Sequence, residues 1–182
     1  MESSIDWSRT YIVCPNHTSN LDIPGITMAV KGNFAFIGKD ELLENPVLKI
    51  LFRTIDIPIN RDSKISAFKA FKRGEEYLKK GMSLVIFPEG KIGDEYPPLL
   101  HEFKNGPFRL AIEQQIPIIP VSMLNVWEKM WDDGSKYGTR PGFCDICLHA
   151  PIETAGMTLD DAEDLKNRVY SIINSKLQHE HR

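Results

Sequence analysis

The sequence predicts an α/β domain built on a mostly parallel mixed sheet flanked by helices, and three observations carry that prediction. Apolar strand-like runs alternate with segments of helical periodicity almost throughout the chain, which is the pattern of strand-helix-strand crossovers. One run, Ser83-Leu84-Val85-Ile86-Phe87, is continuously apolar and bounded by turn residues, as expected of a central strand covered on both faces. At 182 residues the chain has the length of one domain, 1–182, with enough sequence to bury a real core.

Taken in order, residues 1–10 are polar and expected to be flexible, and Tyr11 to Cys14 forms the first short strand. A helix is expected from Ser19 to about Val30, with Pro24 early enough to be tolerated. Asn33 to Ile37 reads as a strand. Leu42, Leu43, Val47, Ile50 and Leu51 recur at helical spacing, with Asn45 and Pro46 as an N-cap and first helical residue. Ile57-Pro58-Ile59 is a short extended segment. A long helix follows from Asp62 or Ser63 to Lys80, closed by Gly81, with an apolar stripe of Ile65, Phe68, Phe71 and Leu78 and a basic opposite side. After the 83–87 strand, residues 91–104 form a long loop containing Gly93, Pro97 and Pro98, and loops of that length are commonly functional. A helix from Pro107 to Gln115, a strand over 118–124 interrupted by Pro120, a strand over 143–148, and a final helix capped by Thr158 and Asp161 complete the domain.

Composition narrows the chemistry. A formal charge of -3 argues against nucleic acid as a partner. Three cysteines, Cys14, Cys144 and Cys147, make no disulfide framework, and the Cys144–Cys147 pair sits in a strand without a second ligand pair, so no metal site is expected. No run reaches the ~18–20 apolar residues of a membrane-spanning helix. Signatures of serine hydrolases, P-loop enzymes, dinucleotide enzymes and zincins are all missing.

Asn16-His17-Thr18-Ser19-Asn20-Leu21-Asp22 carries the leading chemical signal. On one continuous helix, His17 and Asp22 would lie roughly 140° apart and could not meet. With the histidine in the loop and the aspartate in the first helical turn, they can. Two readings are compatible: Ser19 and Asp22 as a capping box, and His17 as a general base near neutral pH whose tautomer Asp22 fixes. Phe87-Pro88-Glu89-Gly90 places a carboxylate and a glycine at the carboxyl end of the central strand, the edge where open α/β sheets bind ligands. Arg61 follows a short strand in the same way, and Lys39 and Lys104 stand beside similar junctions.

The ordered set of four blocks resembles the glycerophospholipid acyltransferase superfamily, and within it the 1-acyl-sn-glycerol-3-phosphate (lysophosphatidate) acyltransferases. The blocks are N-H-x-x-x-x-D at 16–22, Ile57 to Arg61, F-P-E-G at 87–90, and Ile116-Pro117-Ile118-Ile119-Pro120-Val121. The resemblance implies the glycerolipid acyltransferase fold and transfer of a fatty acyl group from acyl-CoA or acyl carrier protein to a lysophospholipid hydroxyl, with no further cofactor. It implies that His17 is the base and Asp22 its orienting acid. Arg61, Glu89 and Gly90 would form the acceptor phosphate site, and Pro117, Ile118 and Pro120 would shape the acyl pocket. Two departures stand out. Lys91-Ile92 follows the third block where the family usually has Thr-Arg, so Lys91 or Lys104 is expected to replace an arginine. Ile55 stands where the second block usually has glycine.

Members commonly carry hydrophobic N-terminal helices that reach the membrane. Here the catalytic segment begins almost at once, so a shortened or minimal member is expected, peripheral on the cytoplasmic side of the membrane. The basic face of the 63–80 helix, with Trp127 and Trp131, fits a membrane surface. The other readings open at this stage are a different lyso-lipid or amino-lipid acceptor and a lipid-binding domain without turnover.

Overall fold

The computed structural model describes residues 5–39, 57–59 and 63–180. The expected helical segment around Asn45 and Pro46, the block residue Ile55 and the candidate Arg61 lie outside the described residues. Lys39 closes a strand, but its side chain is likewise outside the description.

The described residues form a six-stranded sheet: β1 (Ile12–Pro15), β2 (Phe34–Lys39), β3 (Ile57–Ile59), β4 (Ser83–Ile86), β5 (Ile118–Met123) and β6 (Ile146–Leu148). Its order is β3-β2-β4-β1-β5-β6, and only β6 runs antiparallel. β1 therefore sits between β4 and β5, with Val13 opposite Val85 on one side and Ile119 on the other. Strands buried on both faces must be apolar throughout, and β1, β4 and β5 are buried at every position.

Alternation of side chains across the strands divides the core into two layers. On one face Ile12, Cys14, Leu84, Ile86 and Ile118 pack with α2 (Lys64–Lys79), α3 (Gly106–Glu113) and the final helix, α5 (Ala162–Glu180). On the other, Val13, Val85, Phe87, Ile119 and Val121 pack beneath α1 (Asp22–Ala29). A short helix, α4 (Val126–Lys129), follows β5. The expected Thr158–Asp161 cap is present as a reciprocal capping box ahead of α5.

Three expectations need correction. Pro120 does not interrupt β5. Its carbonyl accepts from the His149 amide on the β6 side, so its nitrogen faces that outer side too, and the parallel ladder to β1 loses no donor. In α2, Ile65 and Phe68 are not part of the buried stripe: they are 69% and 72% exposed, and Ala70, Gly74 and Leu78 face the core instead. Trp131 is buried rather than presented to an interface.

Candidate active site

The parallel arrangement brings the chain segments after β1, β4 and β5 to one edge, and the site is assembled there. Asn16 anchors the first of them. Its buried side chain imitates a strand neighbour of β5, accepting from the Met123 amide at 2.7 Å and donating to the Met123 carbonyl at 3.3 Å. The backbone then turns, and His17 stands in the loop while Asp22 opens α1.

Asp22 is fully buried, and its Oδ2 collects three contacts. It accepts from the amides of Thr18 at 2.7 Å and Ser19 at 2.9 Å, and lies 3.0 Å from His17 Nδ1. Only half of the expected capping box forms, because the Ser19 hydroxyl accepts from Leu21 rather than from Asp22. A carboxylate at Nδ1 places the imidazole proton there and leaves the Nε2 lone pair available. The ring stacks on Phe87, with centroids 4.0 Å apart, so its plane is set by an aromatic face as well as by Asp22.

Glu89 braces the same loop from β4. Its Oε1 accepts from the His17 amide at 2.7 Å and its Oε2 from the His101 amide at 2.9 Å. Both oxygens thus tie backbone together, one from the 16–22 loop and one from the 91–104 segment. Burial raises the Glu89 carboxyl to about 7, against the opposing pull of those two amides, and the Asp22 charge pushes it further up. His101 and Asp132 were not read from the sequence. Asp132 adopts a left-handed conformation, φ 52°, that lets its amide donate to the Thr18 carbonyl and its carbonyl accept from Asn20. Burial raises its carboxyl above the ordinary value, and nearby His17 offsets part of that. Neither residue belongs to a local pattern, because each acts through backbone groups far away in the sequence.

Two clefts flank the Pro88-Glu89-Gly90 turn. One, of about 240 Å³, is lined by Ile37, Ile59, Phe71, Phe87, Gly90 and Lys104 among others and is predominantly apolar. The Lys104 side chain lies across Gly90, and no carboxylate partners it among the described residues. Lys91 is exposed and lies 3.9 Å from Asp94, and of the two expected cations Lys104 is the one that lines this cleft. The second cleft, of about 160 Å³, lies on the Glu89 side between α4, α5 and residues 98–100. Pro117, Ile118 and Pro120 line neither cleft. They are buried within or beside β5, and Ile118 packs in the core beneath α5. In the described residues the block holds β5 against β1.

Gly90 has φ +77°, and a Cβ there would meet Lys104 Cε and Nζ at 2.9 Å. Gly90→Ala is expected to displace the lysine and strain the turn. The Michaelis constant for a substrate held in this cleft should rise about 3- to 10-fold, with little change in that for a substrate held elsewhere. Steady-state kinetics with each substrate varied in turn will check this.

Residues 2–124 match a family model described as Acyltransferase. The chain belongs to the acyltransferase family. The family member is 30% identical over 165 residues to mouse 1-acyl-sn-glycerol-3-phosphate acyltransferase alpha, covering 89% of this chain and 56% of the relative. It is 27% identical over 168 residues to the 1-acyl-sn-glycerol-3-phosphate acyltransferase of Haemophilus influenzae, covering 89% and 66%. An uncharacterized acyltransferase of Schizosaccharomyces pombe is 28% identical over 171 residues, covering 93% and 61%. The chain thus spans 56% to 66% of these relatives' lengths. The crystal structure of the 1-acyl-sn-glycerophosphate acyltransferase PlsC from Thermotoga maritima superposes with a TM-score of 0.79 at 24% identity, covering 98% of this chain and 69% of that one, and shares the fold. The four-block resemblance to glycerophospholipid acyltransferases therefore holds for this chain.

Proposed function

We propose that this chain transfers a fatty acyl group from a thioester donor to the free hydroxyl of a lysophospholipid, with 1-acyl-sn-glycerol-3-phosphate as the preferred acceptor. The observation that carries the reading is the His17–Asp22 pair, fixed at 3.0 Å at the carboxyl edge of the sheet and flanked by two clefts. A direct transfer needs both substrates present at one base, and two clefts beside His17 suit it: Asn16 and Thr18, its chain neighbours, line one, and Phe87, on which its ring stacks, lines the other. His17 Nε2 takes the proton of the acceptor hydroxyl as its oxygen attacks the thioester carbonyl. The new C–O bond forms, the C–S bond breaks, and the departing sulfur recovers the proton from the imidazolium, giving an ester and a free thiol. Asp22 stabilises the imidazolium between the two proton transfers. Lys104, beside Gly90, faces the acceptor phosphate, and the apolar remainder of that cleft takes its hydrocarbon.

The acceptor reading also draws on the names of the mouse and Haemophilus relatives, which are 1-acyl-sn-glycerol-3-phosphate acyltransferases. Peripheral membrane contact is part of the proposal. Among the described residues no helix is long and apolar enough to cross a membrane. Yet Ile65, Phe68, Tyr96, Leu99, Tyr137 and Phe143 are all exposed large side chains with apolar surface. Lysines on α2 lie alongside the first two, a pairing suited to an anionic lipid surface.

The test is transfer of a labelled acyl group by the purified chain to a panel of lyso-acceptors differing only in head group. Preference for lysophosphatidate is expected. Preference for a choline or amino-lipid acceptor would overturn the acceptor, and absence of transfer from every thioester would overturn the enzyme reading.

A further inference from the structure

The cleft on the Glu89 side has a different chemical character from its apolar neighbour. Asn174 and the exposed Gln178, one helical turn apart on α5, both line it, with Leu177 between them. Neither carboxamide has a hydrogen-bond partner among the described residues. Thr18, next to His17, lines the same cleft, and its buried hydroxyl is also unpartnered. The remaining walls, Leu99, Leu100, Met123 and Trp127, are apolar. A cleft with apolar walls, two carboxamide-bearing residues and Thr18, the chain neighbour of His17, suits a thin chain in which methylene runs alternate with amides.

At its rim the channel continues into an aromatic cluster. Tyr96 stands edge-on to Trp127 and Trp131 and stacks on Tyr137 at 4.1 Å, while Lys136 Nζ lies 5.3 Å from the ring centroids of Trp131 and Tyr137. The half-exposed rings of Tyr96 and Tyr137, with the Lys136 ammonium beside them, suit a flat heteroaromatic group carrying phosphate.

We propose that this cleft holds the phosphopantetheine arm of the acyl donor, with Asn174 and Gln178 hydrogen-bonding its amides and the Tyr96–Tyr137–Lys136 rim receiving the nucleotide of coenzyme A. The inference rests on the acyl-transfer reading and supplies what that reading leaves open, the place and carrier of the donor. The two clefts then divide the work: the one carrying Lys104 takes the phosphate-bearing acceptor, and the one carrying the carboxamides takes the donor.

The test uses the purified chain with three donors bearing one acyl group: acyl-CoA, acyl carrier protein, and the ethanethiol thioester, which has the reacting carbonyl and no amide. In the double variant Asn174→Ala/Gln178→Ala, KM should rise about tenfold or more for each carrier that supports transfer. Acceptor KM, kcat and the rate with the ethanethiol thioester should be unchanged. A donor KM within about twofold of wild type overturns the proposal. So does a rise in acceptor KM instead, or an equal loss with the ethanethiol thioester, which would mark a merely structural effect. Lys136→Glu separates the two carriers. A raised KM for acyl-CoA alone is expected, and no rise, or an equal one for acyl carrier protein, overturns the nucleotide assignment. Failure of wild type to use any thioester sinks the acyl-transfer reading itself, whereas an active double variant with an unchanged donor KM sinks only the cleft.

Discussion

Replacing His17 by alanine is expected to lower acyl transfer about 10²- to 10⁴-fold, the range for loss of a positioned general base, while the protein remains folded. The separation of the two effects follows from where the contacts lie. The imidazole stacks on Phe87 and meets Asp22, but Asp22 Oδ2 keeps the Thr18 and Ser19 amides when the ring is gone. The loop itself is held by backbone contacts that the substitution does not touch: His17 N–H to Glu89, Asn20 N–H to Asp132 and the Asn16 side chain to Met123. A stability loss of about 1 kcal/mol is expected from the lost ring contacts. Thermal unfolding and initial rates on one preparation will check both, and a folded variant with rates close to wild type would overturn the role of His17.

How much of this was legible beforehand depends on the range of each interaction. Strands β1 to β5 were readable because apolar runs bounded by turn residues are local, and Ile57–Ile59 emerged with the expected bounds. The His17–Asp22 contact was readable because a loop-to-helix junction fixes its geometry within six residues. The bracing around it was not. Glu89 reaches His17 across 72 positions and Asn16 reaches Met123 across 107, and such pairs leave no periodicity in the chain. The α2 stripe failed for a related reason. Helical spacing identifies a face, but Ile65 and Phe68 belong to a different face from Ala70, Gly74 and Leu78, and small residues hide the true contact side. At Gly74 a Cβ would meet Leu84 Cδ1 at 3.0 Å, so the glycine lets the helix pack closely on the sheet.

Glu89 carries the second large expectation, and it concerns pH. Its carboxyl titrates at about 7 in the folded protein against an ordinary 4.5, with burial as the leading cause. Between those values the folded state binds a proton that the unfolded state has released. Stability therefore falls as pH rises from about 4.5 to about 7 and levels off above. The difference of about 2.5 units corresponds to an upper bound of about 3 kcal/mol. Glu89→Gln has no such titration, so the stability difference between the two proteins isolates this residue from the other acids. The glutamine has one carbonyl for two amide donors, His17 and His101, and leaves one of them unpaired at a cost of about 1–3 kcal/mol. The variant should thus compare worst with wild type near pH 4.5 and gain on it steadily until pH 7. Urea unfolding at several pH values will show the convergence, and parallel curves would overturn the raised titration. Because Glu89 also ties the His17 loop to the 91–104 segment, the same variant should lose about tenfold in kcat through a displaced base. Retained kcat would instead confine Glu89 to the stability of the fold.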